Sequence, residues 1–220
     1  MDRHAGLLVE TIVNGPFTAN CYAVAEEATG RALLVDPGDE PNTILQRVRA
    51  LNWQVDEIVA THAHIDHVGA VAPLKRALGV SFALHPAEKE WLTHLPAQAT
   101  MFGLPTKEVP EIDDLLADGQ QRALGGLTYE ILSTPGHSAG GCCLCFAAAG
   151  VVFVGDTLFA GSVGRSDLPG GDGTTLIRSI EDKLLTLDDS VVVYSGHGPS
   201  TTIGAERRTN PFLRGRPSRR

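Results

Sequence analysis

Residues 61–70, THAHIDHVGA, place His62, His64, Asp66 and His67 within six positions. Imidazole nitrogen and carboxylate oxygen are the usual ligands of zinc and similar divalent metals. Burying such groups together without a cation would be costly. Further along, His137 in PGHS, Asp156 in GDTL and His197 in SGHG add three donors of the same kinds. Seven donors exceed what one tetrahedral metal with an open position uses, and they suit two metals sharing a bridging carboxylate. The expected assignment is His62, His64 and His137 on one metal, Asp66, His67 and His197 on the other, and Asp156 between them. Positions left open to water mark a catalytic rather than a structural centre. Zinc is the expected metal, as one or two ions; iron and manganese suit the same donors.

The elements around these residues follow one rule. Apolar runs of strand length end just before each donor: 58–60 before the cluster, 127–132 before His137, 151–154 before Asp156 and 191–194 before His197. Strand ends are rigid, and the loops beyond them hold side chains without breaking a sheet. Gly and Pro beside the later donors permit sharp turns. RALLVDPGD reads as a strand ending in a Pro-Gly turn, and PNTILQRVRALN as a helix. VGAVAPLKRALG reads as a helix that must start late, near residues 70–72, to tolerate Pro73, and that stops at Gly79. From His85 to Asp118 the pattern suggests only a short helix and an irregular connection. A helix near TTLIRSIEDKLLTL precedes what reads as the last strand, SVVVYSGHGPS. Strands interspersed with helices imply two sheets with helices outside, not one barrel.

The chain of 220 residues is 43% hydrophobic and 20% charged, a globular balance with enough length for a sizeable core. No run approaches the roughly 20 apolar residues of a bilayer span, and MDRHAGLLVE lacks the pattern of a secretory signal. A net charge of −8 argues against nucleic acid as a partner. Six arginines near the end (Arg207, Arg208, Arg214, Arg216, Arg219, Arg220) read as a solvated tail, or as a contact to an anionic substrate or partner subunit. Cys21, Cys142, Cys143 and Cys145 lack metal-binding spacing; neighbours on a strand point to opposite faces. They read as small buried hydrophobes in a reducing, cytoplasmic setting. His4, His85 and His94 read as ordinary surface histidines. Oligomeric state is not legible.

THAHIDHVGA, with PGHSAGG, VGDTLFAGSVGRSD and SGHGP following in order, resembles the signature of the metallo-β-lactamase fold superfamily. DPGD, LPAQATMFGLP, GSVGRSDLPGGD and ERRTNPFLR narrow the resemblance to short bacterial glyoxalase II-like hydrolases. The resemblance implies an α/β, four-layer αββα sandwich of two mixed sheets flanked by helices, with the metals at one edge. It implies one such domain over residues 1–220, without the C-terminal helical domain that binds glutathione in longer relatives. The implied reaction is hydrolysis of S-2-hydroxyacylglutathione, S-D-lactoylglutathione giving D-lactate and glutathione. Metal lowers the pKa of bound water from about 15.7 to about 7, so hydroxide is available at neutral pH.

Asp66 is expected to accept a proton if it is not a firm ligand. Asp36, in VDPGD, is expected to orient a metal-bound group, unless it merely shapes its turn. Arg165 aligns with a basic position that contacts the glutathione glycine carboxylate in the resembled family; a local ion pair with Asp167 is the alternative. The rival activity is a persulfide dioxygenase, which by resemblance would hold one iron through His62, His137 and Asp156. Another thioesterase, or a lactonase or β-lactamase of the same superfamily, is the further alternative.

Overall fold

The computed structural model describes residues 1–213. The first sheet runs in chain order β1 (Asp2–His4), β2 (Leu7–Asn14), β3 (Ala19–Glu26), β4 (Arg31–Val35), β5 (Gln54–Val59), β6 (Ser81–Leu84) and β7 (Asp114–Leu115). The pairs from β1 to β4 are antiparallel and those from β4 to β7 parallel. The second sheet has β8 (Gln121–Leu124), β9 (Leu127–Ser133), β10 (Cys142–Phe146), β11 (Val151–Gly155), β14 (Val192–Ser195) and β15 (Thr201–Thr202), in the order β15-β14-β11-β10-β9-β8. A small hairpin, β12 (Leu158–Phe159) and β13 (Ser162–Val163), lies between β11 and β14 in sequence.

The helices are α1 (Pro41–Ala50), α2 (Ile65–Val68), α3 (Val71–Leu78), α4 (Lys89–Thr93), α5 (Leu95–Met101), α6 (Gly173–Ser179), which continues through a π-helical turn at 180–184, and α7 (Ile203–Thr209). Strand alternation separates three apolar layers. On β3, Tyr22 and Val24 face the other sheet and pack with Leu144 and Phe153; Cys21, Ala23 and Ala25 face the layer under α1 and α3 with Ile44 and Leu74. Outside the second sheet, Cys143, Val152 and Val193 pack with Leu176 of α6 and Ile203 of α7. The result is the expected α/β sandwich of two mixed sheets between helical layers. Cys142 and Cys143 lie in different layers, as adjacent strand residues must. All four cysteines are buried and free.

Local signals explain most boundaries. Pro73 is the third residue of α3, where its missing N–H breaks no helical bond. Gly79 ends α3 at φ 69, its N–H reaching Lys75 O at 2.9 Å. Asp172 and Thr202 cap α6 and α7 by accepting the N–H groups of Thr175 and Ala205.

Three expectations are corrected. The stretch after His85 holds more helix than expected, a 3₁₀ turn at Pro86–Glu88 leading into α4 and α5, before the expected irregular connection over 102–113. SVVVYSGHGPS is not the last strand, since β15 and α7 follow it. Arg207 and Arg208 belong to α7 and not to a solvated tail. Both pair with Asp189, and Arg207 also donates to Leu185 O and Leu187 O at 2.7 and 3.0 Å. Arg214, Arg216, Arg219 and Arg220 lie outside the described residues. Among the described residues no helix is long and apolar enough to cross a membrane.

Candidate metal centre

The seven donors come from both sheets and meet at one edge of the sandwich. After β5 the chain bends at Thr61 and His62, is extended at His64, then winds into the single turn of α2. The first two rings therefore point to one place, and Asp66 and His67, on the turn, to another. His137 sits in the turn after β9, Asp156 directly after β11 and His197 after β14. Because β11 and β14 are parallel neighbours, Gly155 opposite Ser195, their ends abut and bring Asp156 beside His197. Gly196 allows this approach: a Cβ there would press on Asp156 Oδ1 and His67 Cε1. Backbone bonds stitch the two sheets at this edge, Asn20 N–H to Gly196 O at 2.8 Å and Cys142 N–H to Thr61 O at 3.0 Å.

Two donor groups result. His62, His64 and His137 form one, and Asp66, His67 and His197 the other; within each, the donor atoms lie within 4.8 Å of one another. Asp156 stands between them. Its Oδ1 is 3.4 Å from His67 Nε2, and its Oδ2 is 3.6 Å from His137 Nε2 and 3.7 Å from His197 Nε2. A third grouping, Asp36 with His62 and His67, shares two of the same rings.

Hydrogen bonds behind the rings set which nitrogen is bare. Asp36 Oδ2 accepts from Thr61 Oγ1 at 2.7 Å, so that hydroxyl is left to accept from His62 Nδ1 at 3.1 Å. His67 Nδ1 donates to Asp36 Oδ2 at 3.1 Å, and His137 Nδ1 to Arg165 O at 2.7 Å. In the His62 and His137 rings Nε2 then carries a lone pair aimed inward, and His67 Nε2 faces Asp156. His137 Nε2 lies 3.2 Å from His62 Nε2 and 2.9 Å from His64 Nδ1. The bare Nε2 atoms of His62 and His137 repel at this distance; a shared cation turns that crowding into coordination. His67 Nε2 and Asp156 Oδ1 are buried without a hydrogen-bond partner among the described residues. Both observations fit a divalent metal.

The electrostatics agree. Burial, reinforced by the neighbouring imidazoles, pushes His62 well below its ordinary pKa, and burial with His137 pushes His64 down to about 3. Both are held neutral, as ligands must be. Burial alone would depress His67 too, but Asp156, Asp66 and Asp36 outweigh it and raise it to about 10. The charge that would retain a proton there is the charge that would retain a metal. Burial opposes ionisation of Asp66, yet His67 and His197 hold its carboxyl well below the usual range.

Asp36 is 1% exposed at φ 52, a left-handed conformation that aspartate tolerates better than most residues. It also accepts from Thr61 N–H at 2.7 Å and so holds the start of the cluster from behind.

Three positioning residues were not anticipated from the sequence. Thr61 relays Asp36 to His62. Glu88 is buried and accepts Ala63 N–H at 2.8 Å and Gly140 N–H at 2.6 Å, tying the first ligand loop to the His137 loop. Gln98, from LPAQATMFGLP, accepts Ile65 N–H at 2.9 Å and donates to Ala63 O at 3.2 Å. The threonine stands in the motif itself; nothing local marked the other two.

Over the donors opens a cleft of about 380 Å³, walled by Phe17, Phe102, Phe159 and Leu168, with Arg165 at its margin. Arg165 is exposed and pairs with Asp167 through two bonds of 2.8 and 2.9 Å. The local ion pair with Asp167 is thus present, and the residue also lines the cleft.

The sequence model of the metallo-beta-lactamase superfamily matches residues 14–197. The chain belongs to that superfamily. A protein of Haemophilus influenzae named hydroxyacylglutathione hydrolase GloC is 40% identical over 212 residues, 93% of this chain and 97% of that one. Among solved structures, the BLEG-1 B3 metallo-beta-lactamase superposes with a TM-score of 0.89 at 36% identity, covering 94% of this chain and all of that one. TTHA1623 in a di-iron-bound form gives 0.85 at 40% identity, covering 93% and 100%. The metallo-beta-lactamase fold and its divalent-metal hydrolase class thus agree with the donor cluster.

Proposed function

We propose that the protein hydrolyses the thioester of S-2-hydroxyacylglutathione, releasing the 2-hydroxy acid and glutathione. The observation that carries this reading is the pair of donor groups meeting at Asp156 beneath an open cleft. The similarity to the Haemophilus influenzae hydrolase supports the substrate class. His62, His64 and His137 would hold one ion and Asp66, His67 and His197 the other, with Asp156 shared. Zinc is the proposed metal, and the di-iron neighbour keeps iron in view. When bound, such ions activate water at neutral pH and stabilise developing negative charge on a carbonyl oxygen.

In hydrolysis the C–S bond breaks and a C–O bond forms. The sulfur leaves as a thiolate, whose conjugate acid has a pKa near 8.5, so no strong general acid is required. Where only the first ion is bound, Asp66, kept ionised by His67 and His197, would be free to take the proton released from attacking water. His197 Nε2, 3.1 Å from Asp66 Oδ2, fixes the direction of that carboxylate. Phe17, Phe102 and Phe159 offer apolar contact to the substrate, and Arg165 offers a cation to a substrate carboxylate.

The test pairs elemental analysis of freshly purified protein with turnover of S-D-lactoylglutathione. Metal near two equivalents with thioester hydrolysis is the expected result. A fully loaded protein that leaves the thioester intact overturns the reading. One iron with oxygen consumption on glutathione persulfide would replace it by the dioxygenase activity.

A further inference from the structure

Beside the cleft over the donors lies a second one of about 260 Å³. Its walls are Ala87, Trp91, Ala139 and Pro169, with Glu88 and Glu90 among its lining residues. It adjoins the first cleft along two chain segments. His137 lines the first cleft and Ser138 and Ala139 the second; Leu168 lines the first and Pro169 and Gly170 the second. The Trp91 ring meets the His64 ring edge-on at 5.7 Å, so one wall of the second cleft is in contact with a donor. Trp91 Nε1 and Ser138 Oγ are buried without a hydrogen-bond partner among the described residues. Unpaired buried donors are uncommon in folded proteins and call for an explanation.

A thioester reaching the donors must send two arms away from its carbonyl carbon. Charge sorts them. Arg165 is the only lysine or arginine lining either cleft among the described residues, and it belongs to the first. Each cleft carries two carboxylates, Asp66 and Asp156 in the first and Glu88 and Glu90 in the second, but bound metal would offset the first pair, so the carboxylates of the thiol arm are drawn toward Arg165. The acyl arm is uncharged and takes the cleft without the cation, against the Trp91 ring. The volume also exceeds what a three-carbon acyl group fills. We propose that the Trp91 cleft is the acyl subsite, and that it favours bulky, uncharged 2-hydroxyacyl groups, aryl ones above all, over lactoyl. This inference rests on the thioester-hydrolase reading.

The experiment compares kcat/KM for two glutathione thioesters, of lactic acid and of 2-hydroxy-2-phenylacetic acid, so that the thiol arm is constant. Metal-loaded wild-type protein is expected to prefer the aryl substrate by roughly tenfold, the scale of one well-filled apolar pocket. Ala87→Phe, at an exposed position, fills the subsite and should bring the ratio to one or below. Ala139→Leu fills it from the facing segment and serves if the first variant does not fold. Metal content is measured for each protein. A wild-type preference for lactoyl, or an aryl preference that survives filling the cleft in a folded, metal-loaded variant, overturns the inference and leaves the hydrolase reading standing. Failure of loaded wild-type protein to cleave either thioester overturns both.

Discussion

Replacing Glu88 by alanine tests whether this side chain holds the two ligand loops together. Glu88 receives two backbone N–H groups, from Ala63 at 2.8 Å and from Gly140 at 2.6 Å. A buried donor left unpaired costs about 1–3 kcal/mol, so two cost about 2–6 kcal/mol before relaxation. The neighbouring cleft lets water reach part of the gap, which places the expected loss near the low end, about 2–3 kcal/mol. That is a large share of the roughly 5–15 kcal/mol that stabilises a typical domain. For a chain of this size it corresponds to a fall in melting temperature of about 4–12 °C. The loops carry His62 and His64 on one side and His137 on the other, so metal affinity should weaken by roughly 10- to 100-fold. Urea denaturation gives the first quantity and competition with a chromophoric chelator the second. Glu90→Ala, exposed two residues on in α4, is the control and should move stability by less than about 0.5 kcal/mol. If Glu88→Ala matches this control in both measurements, the two hydrogen bonds do not position the loops and the argument fails.

Other consequences are accessible to simple assays. Stripping divalent metal with a chelator should lower the melting temperature, because a ligand bound only by the folded state stabilises it. His62→Ala should shrink that difference, and an unchanged difference would count against His62 as a ligand. Burial pushes the thiols of Cys145 and Cys143 up to about 11 and 12, so iodoacetamide at pH 8 should label none of the four cysteines until denaturant is added. Rapid labelling of the native protein would contradict their burial. A hydrogen bond from Lys183, with the N–H of Ser133, holds Asp118 below the ordinary carboxylate range. The stabilisation is therefore present above the unfolded value of about 3.9 and lost as pH falls through the folded one. Asp118→Asn should be less stable than wild type at pH 6, with the two denaturation midpoints converging toward pH 2; a constant gap would refute the linkage.

The donors were legible in the sequence because few residue types bind metal and because each follows an apolar run that could only be a strand. The β11–β14 neighbourhood was not, since nothing in the order of the runs says which strands pair in parallel. The helices after His85 were obscured by Pro86 and Pro96, which fall at helix starts and break the period there. Glu88 and Gln98 escaped notice for a different reason. Their partners are backbone amides of the ligand loops, and a polar side chain turned inward from a short helix looks the same in sequence as one turned to water. Arg165 was ambiguous in sequence; the fold shows its ion pair with Asp167 and sets it on the cleft.

The first sheet delivers His62, His64, Asp66 and His67; the second delivers His137, Asp156 and His197. Neither half of the chain carries the whole of either donor group. Metal capture must therefore come late in folding, after the two halves have docked, and a bound ion acts as a rivet between them. An unfinished chain emerging from synthesis has no functioning centre to misfire. Two fragments divided between β7 and β8 would be expected to find each other more readily when metal is supplied.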